Sequence, residues 1–237
     1  MKCIILLLFL IAFSSQDQVD TSKMIIIYFT RTGNTELFAN YIKEKMNIET
    51  TFKIEPETPY PENYDQTLAI ARNEQSNKLR PEIKNPLTDV SKYDTILLGT
   101  PLWYSHIPNI VITQLEKLDL NGKTIYSFNT HGSSGLGYTI TDIKEYATGA
   151  TVKDDGFPLA GTYVRNNKES AMNDISSWIE KNFGTINPSS DKASTDKSTT
   201  DIKNNNEEEK DNDDTIKLNS EFTKINYFLF LIILSLL

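Results

Sequence analysis

A short polar segment, Thr30–Thr35, has the residue types and the position of a phosphate-binding loop. It reads Thr-Arg-Thr-Gly-Asn-Thr and separates an apolar, β-branched run at 24–29 from a stretch at 36–44 with apolar residues at helical spacing. Where a buried strand turns into a helix through such a loop, unpaired N–H groups and the positive end of the helix dipole attract anions. Hydroxyl and amide side chains supply further donors. The candidate phosphate ligands are Thr30, Arg31, Thr32, Gly33, Asn34 and Thr35.

This segment differs from two common phosphate loops. A Walker loop needs a lysine before its last Ser or Thr, and the segment contains no lysine. A dinucleotide-binding loop needs three glycines, whereas Gly33 is the single glycine here. The composition instead suits one phosphate monoester that is bound without a strong cation. The alternative interpretation is structural, since Thr and Asn also cap ordinary helices that follow a strand.

Two other segments have the composition of ligand-binding loops, and each follows a predicted strand. The segment 99–104 places a tryptophan and a tyrosine at the end of one strand, where flat side chains offer a stacking surface. The segment 130–137 contains three glycines, which let backbone groups approach a heterocycle without obstruction by Cβ atoms. Each feature also has a structural interpretation, as a core tryptophan or as turn and cap glycines. Their occurrence at the same edge of a sheet favours a ligand with a phosphate and a flat ring.

The elements that position these loops alternate between strand and helix. Apolar runs and helical periodicity predict strands at 24–29, 51–55, 93–99, 123–129 and around 151–152, and helices at 36–44, 65–78, 107–118, 138–147 and 169–183. This alternation predicts an α/β fold with a doubly wound, five-stranded parallel sheet between two layers of helices. Because the first and third strands are the most apolar and the second is polar, we expect strand order 2-1-3-4-5. Ligands of such sheets bind where the strand order reverses, here between the first and third strands.

The sequence between 23 and 183 resembles the flavodoxins and flavodoxin-like FMN-binding proteins. The residues that carry the resemblance are YFTRTGNTE at 28–36, PYPENYDQTLAIARNE at 59–74, GTPLWYSHIP at 99–108, LDLNGKTIYSFNTHGSSGLG at 118–137 and TDIKEYATGA at 141–150. The resemblance implies a flavodoxin-like three-layer sandwich with FMN as its cofactor.

The resemblance also assigns roles to the three loops. It implies that Thr30–Thr35 hold the FMN phosphate, and that Trp103, together with Pro101, Leu102 and Tyr104, flanks the isoalloxazine ring. The residues implied to line the pyrimidine edge are Thr130, His131, Gly132, Ser133, Gly135, Leu136 and Gly137. Many electron-transfer flavodoxins have an acidic loop and a second aromatic residue after strand four, whereas this chain has THGSSGLG. The resemblance is therefore closer to a subgroup whose redox partner the sequence does not identify.

Three functions are compatible with these features. The first is electron transfer by noncovalently bound FMN to a redox partner protein or a small-molecule acceptor. The second is an FMN-dependent NAD(P)H:acceptor oxidoreductase of the quinone type. The third is a cell-surface binding protein with a vestigial flavin site. The sequence pattern indicates no catalytic residue.

The two histidines and several aspartates can also be explained by ordinary structural roles. His131 is expected to contact the cofactor or to be structural, and His106 is expected at the rim of the site. Asp94, Asp142 and Asp174 are expected to be surface or cap residues. No spacing of His, Cys and carboxylate residues in the sequence suggests a metal site.

The net charge of the chain bears on its partners, and its first residues bear on its location. The net charge of −8 disfavours nucleic acid as the main partner. Lys2 and the apolar run 3–13 predict a secretory signal peptide, 1–14, with cleavage after Ser14. A retained anchor helix is the alternative, but eleven apolar residues fall short of the roughly 20 that span a bilayer. Cleavage would remove Cys3, the single cysteine of the chain.

The last quarter of the chain has the composition of an attachment segment. Residues 184–224 are acidic and rich in Ser, Thr, Asn and Lys, which predicts a disordered linker. The apolar run 225–237 that follows resembles a GPI-attachment signal, and a tail anchor or a helix packed on the core are the alternatives. We therefore expect a secreted or cell-surface protein with membrane attachment through its C-terminal tail.

Overall fold

The computed structural model describes residues 19–184. The predicted signal peptide 1–14, the tail 225–237 and all but the first residue of the predicted linker 184–224 lie outside the described residues. The strands are β1 Met24–Tyr28, β2 Thr51–Lys53, β3 Thr95–Pro101, β4 Thr124–His131, β5 Thr151–Val152 and β6 Phe157–Ala160. The helices are α1 Asn34–Met46, α2 Tyr64–Ser76, α3 Asn109–Leu115, α4 Thr139–Tyr146, α5 Gly161–Asn166 and α6 Lys168–Phe183.

The strands form one parallel sheet in the order β2-β1-β3-β4-β5. This order confirms the predicted doubly wound α/β fold and the place at which the strand order reverses. The two central strands are buried along almost their whole length, whereas the three residues of β2 are half-buried or exposed, as expected at an edge. Full burial on both faces explains why β1 and β3 are continuous apolar runs.

The fifth strand is interrupted, which the sequence did not indicate. β5 pairs with Thr124 and Ile125, and β6 pairs further along β4, with residues 128–131. Gly156 stands in the break, where a Cβ atom would lie 2.7 Å from the hydroxyl oxygen of Ser127. β6 contains Pro158, which a strand tolerates at a sheet edge because no further strand needs its N–H. The second half of this edge strand directs the chain into α5.

Two apolar layers cover the two faces of the sheet. Alternate residues of β1 divide between them. Ile25 and Ile27 belong to the layer that contains residues of α3 and α4, and Ile26 belongs to the layer that contains residues of α1 and α6. Burial of one such side chain contributes about 1.5–3 kcal/mol to stability. The arrangement is the expected three-layer sandwich. Within residues 19–184, no helix is both long enough and apolar enough to cross a membrane.

Backbone hydrogen bonds continue past the strand ends and hold the three predicted loops in register. The N–H of Phe29 donates to the carbonyl of Gly99 (3.0 Å), and the N–H of Leu102 donates to the carbonyl of Thr130 (3.0 Å). The carboxyl ends of β1, β3 and β4 are thereby fixed side by side. The loops that follow them surround a common space.

Candidate functional site

A cavity of about 270 Å³ lies at the carboxyl ends of β1, β3 and β4. Residues from all three predicted loops line it, namely Thr30, Arg31, Thr32, Asn34, Thr35, Pro101, Leu102, Trp103, Thr130, His131 and Gly132. Three residues that the sequence did not single out also line it: Tyr64, Gly161 and Thr162. The predicted residues that do not line the cavity are Gly33, Tyr104, Ser133, Gly135, Leu136 and Gly137.

The first loop has the backbone geometry of an anion-binding helix start. Gly33 precedes α1 with φ +84°, and its N–H donates to the hydroxyl oxygen of Thr30 (3.0 Å). The carbonyl of Gly33 accepts the N–H of Leu37 (2.9 Å), so the first helical turn is closed. The N–H groups of Asn34, Thr35 and Glu36 have no intrahelical acceptor and carry the positive end of the dipole. This end of the cavity can therefore bind a phosphate.

Arginine side chains fix this loop from both sides. The guanidinium of Arg165 donates to the side-chain oxygen of Asn34 (2.7 and 3.0 Å) and to the carbonyl of Thr32 (2.7 Å). The guanidinium of Arg31 donates to the carbonyls of Pro61 (3.2 Å) and Glu62 (3.0 Å). Arg165 belongs to α5, a helix that the sequence pattern did not predict. No local signal links it to a loop more than 130 residues earlier in the chain.

A buried pair of hydroxyl groups joins the first loop to the third. The side-chain oxygens of Thr35 and Thr130 lie 2.8 Å apart, and both residues are buried. Only one of the two hydroxyl groups donates in this pair, so the other keeps its hydrogen for a ligand. The pair therefore holds the start of α1 against the end of β4 and still leaves one donor available.

Trp103 forms a wall of the cavity and is largely buried, with 7% of its surface exposed. Its ring makes edge contacts with Phe29 (5.6 Å between centroids) and Tyr60 (4.8 Å). The hydroxyl of Tyr60 donates to the carboxylate of Glu74 (3.1 Å), and burial raises the pKa of each of these two groups. Both interpretations of Trp103 thus describe part of its environment, because it is packed in an aromatic cluster and also lines the cavity.

A tight hairpin turn presents Trp103. The N–H and carbonyl of Trp103 pair with the carbonyl and N–H of His106 (2.9 and 3.0 Å). The two residues between them, Tyr104 and Ser105, have φ of +52° and +66° without being glycines. Such a backbone persists only where its surroundings hold it. Tyr104 is 41% exposed and lies beneath the guanidinium of Arg72 outside the cavity.

The glycine-rich third loop divides into two parts. His131 and Gly132 line the cavity, whereas Gly137 packs against the hairpin turn. Gly137 has φ +53°, and a Cβ atom there would lie 2.4 Å from the carbonyl oxygen of Ser105. That carbonyl accepts the N–H of Tyr138 (2.7 Å). The second part of the loop therefore supports the hairpin and does not line the cavity.

His106 and Asp142 lie outside this cavity and form a pair. The Asp142 carboxylate is 3.0 Å from Nδ1 of His106 and accepts the N–H of Ile107 (3.0 Å). The His106 ring also stacks on Tyr138 (4.6 Å between centroids). The expectation that Asp142 is a surface or cap residue is wrong, because 7% of it is exposed and it joins two segments of the fold. Sequence spacing gave no sign of this contact between residues 36 positions apart.

A larger cavity, of about 450 Å³, adjoins the first through Thr30 and Arg31. It lies at the ends of β1 and β2 and mixes opposite charges, with Lys53 and Lys84 beside Glu55 and Glu57. Neither the hairpin 103–106 nor the glycine-rich loop 130–137 contributes a residue to its lining. The smaller cavity is therefore the candidate site.

The candidate site is suited to an anion that carries a flat ring. Among the described residues, no carboxylate lines the cavity, and its ionisable side chains are those of Arg31, Tyr64 and His131. Donors of the first loop lie at one part of the wall and Trp103 at another. Burial lowers the pKa of His131 below its ordinary value. The chemistry of this donor set fits a phosphorylated aromatic cofactor.

Comparison with known proteins agrees with this geometry. The sequence model of the family described as Flavodoxin matches residues 23–182. The chain belongs to the flavodoxin family. No curated protein matches the chain significantly.

Solved structures with this flavodoxin fold include proteins from three bacteria. A protein from Bacteroides eggerthii described as a flavoprotein is 27% identical, with 68% of this chain and 97% of that chain covered and a TM-score of 0.57. Its counterpart from Bacteroides uniformis is 26% identical, with 67% and 98% covered and a TM-score of 0.58. A flavoprotein from Lactobacillus acidophilus, described in complex with FMN, is 24% identical, with 62% and 99% covered and a TM-score of 0.51. The last likeness shows the shared fold.

Proposed function

We propose that this chain binds FMN noncovalently in the cavity at the ends of β1, β3 and β4 and uses it for electron transfer. Membership in the flavodoxin family supports FMN as the cofactor. The observation that carries the proposal is the convergence of three loops on one cavity. An anion-binding helix start, an aromatic wall and a glycine-containing loop meet at the place where the strand order reverses.

The residues of the cavity fit the parts of FMN. The N–H groups at the start of α1 and the hydroxyls of the first loop would hold the phosphate. Trp103 and Leu102 would flank the ring, and His131 with Gly132 would lie at its polar edge. FMN supplies the redox chemistry when bound, and the protein binds it, orients it and sets its electrostatic environment.

The tight hairpin and the third loop keep these groups in place. The carbonyl of Trp103 accepts a hydrogen bond from the side-chain amide of Gln75 (2.8 Å), which connects the hairpin to α2. The Thr35–Thr130 pair connects α1 to β4. A site whose walls are joined in this way loses little conformational entropy when a ligand binds, which favours affinity.

For the redox partner we propose only a class, which is either a partner protein or a small-molecule acceptor. Steady oxidation of NADH or NADPH by the FMN-loaded protein would assign it instead to the NAD(P)H:acceptor oxidoreductases. Attachment to the cell surface remains a prediction from the sequence, because the segments concerned lie outside the described residues.

Titration of the purified chain with FMN tests the proposal. We expect saturable quenching of flavin fluorescence and weaker binding of riboflavin, which lacks the phosphate. Absence of quenching by the wild-type chain would refute FMN binding.

The two tryptophans of the chain provide a matched pair of variants. Trp103→Leu removes the aromatic wall and keeps an apolar side chain, and we expect the Kd for FMN to rise about tenfold. Trp178→Phe changes the other tryptophan, which packs on Phe157 away from the cavity, and should leave the Kd unchanged. Equal affinity of Trp103→Leu and the wild type would reject the stacking role.

A further inference from the structure

A third cavity, of about 360 Å³, is lined by residues before α2, within α2 and after α2. The N–H of Glu57 donates to the carbonyl of Glu82 (2.9 Å), which joins the first of these segments to the third. The lining contains two prolines, one aromatic residue, one isoleucine and two carboxylates, namely Pro59, Pro81, Tyr60, Ile70, Glu74 and Glu82. We call this space the acidic cavity.

Glu74 places a buried carboxylate in the wall of the acidic cavity without a counter-charge. Only 6% of Glu74 is exposed. The hydroxyl of Tyr60 donates to its carboxylate oxygens (3.1 Å to each), and no basic side chain of the described residues forms an ion pair with it. An ionised carboxylate has about four acceptor sites, so one hydroxyl group occupies only part of this capacity. Buried charges in proteins are normally paired, and the missing positive partner of Glu74 calls for a physical account.

The other walls of the acidic cavity add negative charge and no positive charge. Glu82 is exposed and contributes a second carboxylate, and none of the lining residues is a lysine, an arginine or a histidine. Pro59 and Pro81 have no N–H that could donate to either carboxylate. Because the two carboxylates repel each other, a cation between them is favoured.

The apolar part of the lining indicates which kind of cation fits. Pro59, Pro81 and Ile70 offer hydrocarbon surface, and Tyr60 adds an aromatic ring, which attracts ammonium groups. A magnesium or calcium ion instead needs about six oxygen ligands. Within residues 19–184, no group of three or more His, Cys, Asp or Glu residues is placed to hold a metal ion. The lining therefore suits a cation that carries a hydrocarbon chain.

We propose that the acidic cavity binds a small organic cation, in which an ammonium group is attached to a short hydrocarbon chain. The ammonium group donates to the carboxylate of Glu74, and the hydrocarbon chain packs on Pro59, Pro81 and Ile70. This site does not require FMN, and its lining shares no residue with the flavin cavity. Tyr60 contacts Trp103 as well, so one side chain connects the walls of the two cavities.

Protonation is the other way to neutralise Glu74. Burial raises the pKa of this carboxyl group, which favours its neutral form. A protonated Glu74 that needs no further partner would bind an ammonium ion no better than a neutral molecule of the same shape. The comparison of a charged ligand with a neutral one therefore separates the two explanations.

Titration of the ¹⁵N-labelled full chain with n-butylammonium chloride tests the proposal, at constant ionic strength and about pH 7.5. We expect saturable shifts of the amide signals of Thr58, Ile70 and Glu82, with a Kd on the order of 1–10 mM for so small a ligand. 1-Butanol, which has the same chain and no charge, should bind at least tenfold more weakly. Magnesium chloride should cause no saturable shifts of these signals.

Three glutamate variants show which carboxylate binds the ammonium group. Glu74→Gln keeps the shape of the side chain and an acceptor for Tyr60, and we expect its Kd for butylammonium to rise about tenfold or more. Glu82→Gln should raise the Kd about two- to threefold, because this carboxylate is exposed to water. Glu44→Gln changes an exposed carboxylate of α1 and should leave the Kd unchanged.

The wild-type titrations decide the inference even if a variant fails to fold. Equal shifts with butylammonium and 1-butanol would show that the cavity accepts hydrocarbon and does not recognise charge. Absence of shifts with butylammonium would show that Glu74 is neutralised by a proton. Tighter binding of magnesium would assign the carboxylates to a metal ion. Each of these results overturns the proposal, and none depends on whether the protein binds FMN.

Discussion

The carboxylate of Asp142 accepts the backbone N–H of Ile107 at 3.0 Å and thereby joins α4 to the segment that follows the aromatic hairpin. The same carboxylate is 3.0 Å from the ring of His106, which closes the hairpin. One buried side chain thus connects the turn that presents Trp103 with the helix behind the glycine-rich loop. The relative positions of two cavity walls depend on this connection.

Asp142→Ala should destabilise the protein and weaken FMN binding. The variant leaves the N–H of Ile107 buried without an acceptor, which costs about 1–3 kcal/mol. Urea denaturation measures the free energy of unfolding, and fluorescence quenching measures the Kd. The control is Asp154→Ala, which breaks the exposed ion pair with Lys144 and should cost about 0–1 kcal/mol. Equal losses in the two variants would show that Asp142 is an ordinary surface carboxylate.

Gly33→Ala and Gly122→Ala should lose similar stability, but only Gly33→Ala should bind FMN more weakly. Both glycines have positive φ, +84° and +72°, and a Cβ atom at either position meets nothing within 4 Å. Each substitution should therefore cost about 1–2 kcal/mol of stability through backbone conformation alone. Gly33 precedes the first turn of α1, so its variant should also bind FMN more weakly.

The comparison of these two glycine variants uses denaturation and FMN titration on the same samples. Gly122→Ala should retain the wild-type Kd because its turn lies away from the cavity. A similar Kd for all three proteins would show that the conformation of Gly33 does not serve phosphate binding.

Local patterns were sufficient to predict the strand, the loop and the helix between 24 and 44, because burial and helical spacing act within a few residues. The same holds for the sheet order, which follows from which strands are most apolar. The break between β5 and β6 was not predictable in this way. Pro158 counts against a strand on local grounds, and the edge position that tolerates it is a property of the assembled sheet.

The parts of the site that the sequence did not indicate depend on contacts between distant residues. Arg165 reaches Asn34 and Thr32 because α5 follows the edge strand back to the first loop. Asp142 is buried and accepts the N–H of Ile107, 35 residues earlier in the chain. Neither residue stands in a composition or spacing that marks a function. Their roles become visible once the sheet has brought the three loops together.

Arg165→Gln should weaken FMN binding and leave riboflavin binding nearly unchanged. The substitution removes donors to Asn34 and to the carbonyl of Thr32, both of which hold the phosphate loop in place. Hydrogen bonds from charged groups contribute about 1.5–3 kcal/mol, so part of this loss should raise the Kd for FMN about tenfold. Both affinities are measured by fluorescence quenching.

Lys168→Gln is the matched control for Arg165→Gln, since it removes a nearby positive charge at the start of α6. The Lys168 ammonium lies over the ring of Tyr41, 5.7 Å from its centre, and makes no hydrogen bond or ion pair with residues 30–35. Its variant should keep the wild-type affinity for FMN. Equal weakening in both variants would attribute the effect to long-range charge and not to the hydrogen bonds of Arg165.

Protonation of His131 should make the folded protein less stable at low pH. Burial lowers the pKa of His131 in the folded protein below its ordinary value of about 6.5. Between these two values the unfolded chain binds more protons than the folded one, so the free energy of unfolding decreases as the pH falls below about 6.5. The variant His131→Gln measures this contribution, because it lacks the His131 ring and retains His106. Unfolding in urea is measured for the variant and the wild type from pH 8 to pH 5. The difference between their free energies of unfolding should be constant above about pH 7.5 and should shift in favour of the variant at lower pH. A difference that stays constant over the whole range would show that His131 has the same pKa in both states, and that its ring is as well solvated in the folded protein as in the unfolded chain.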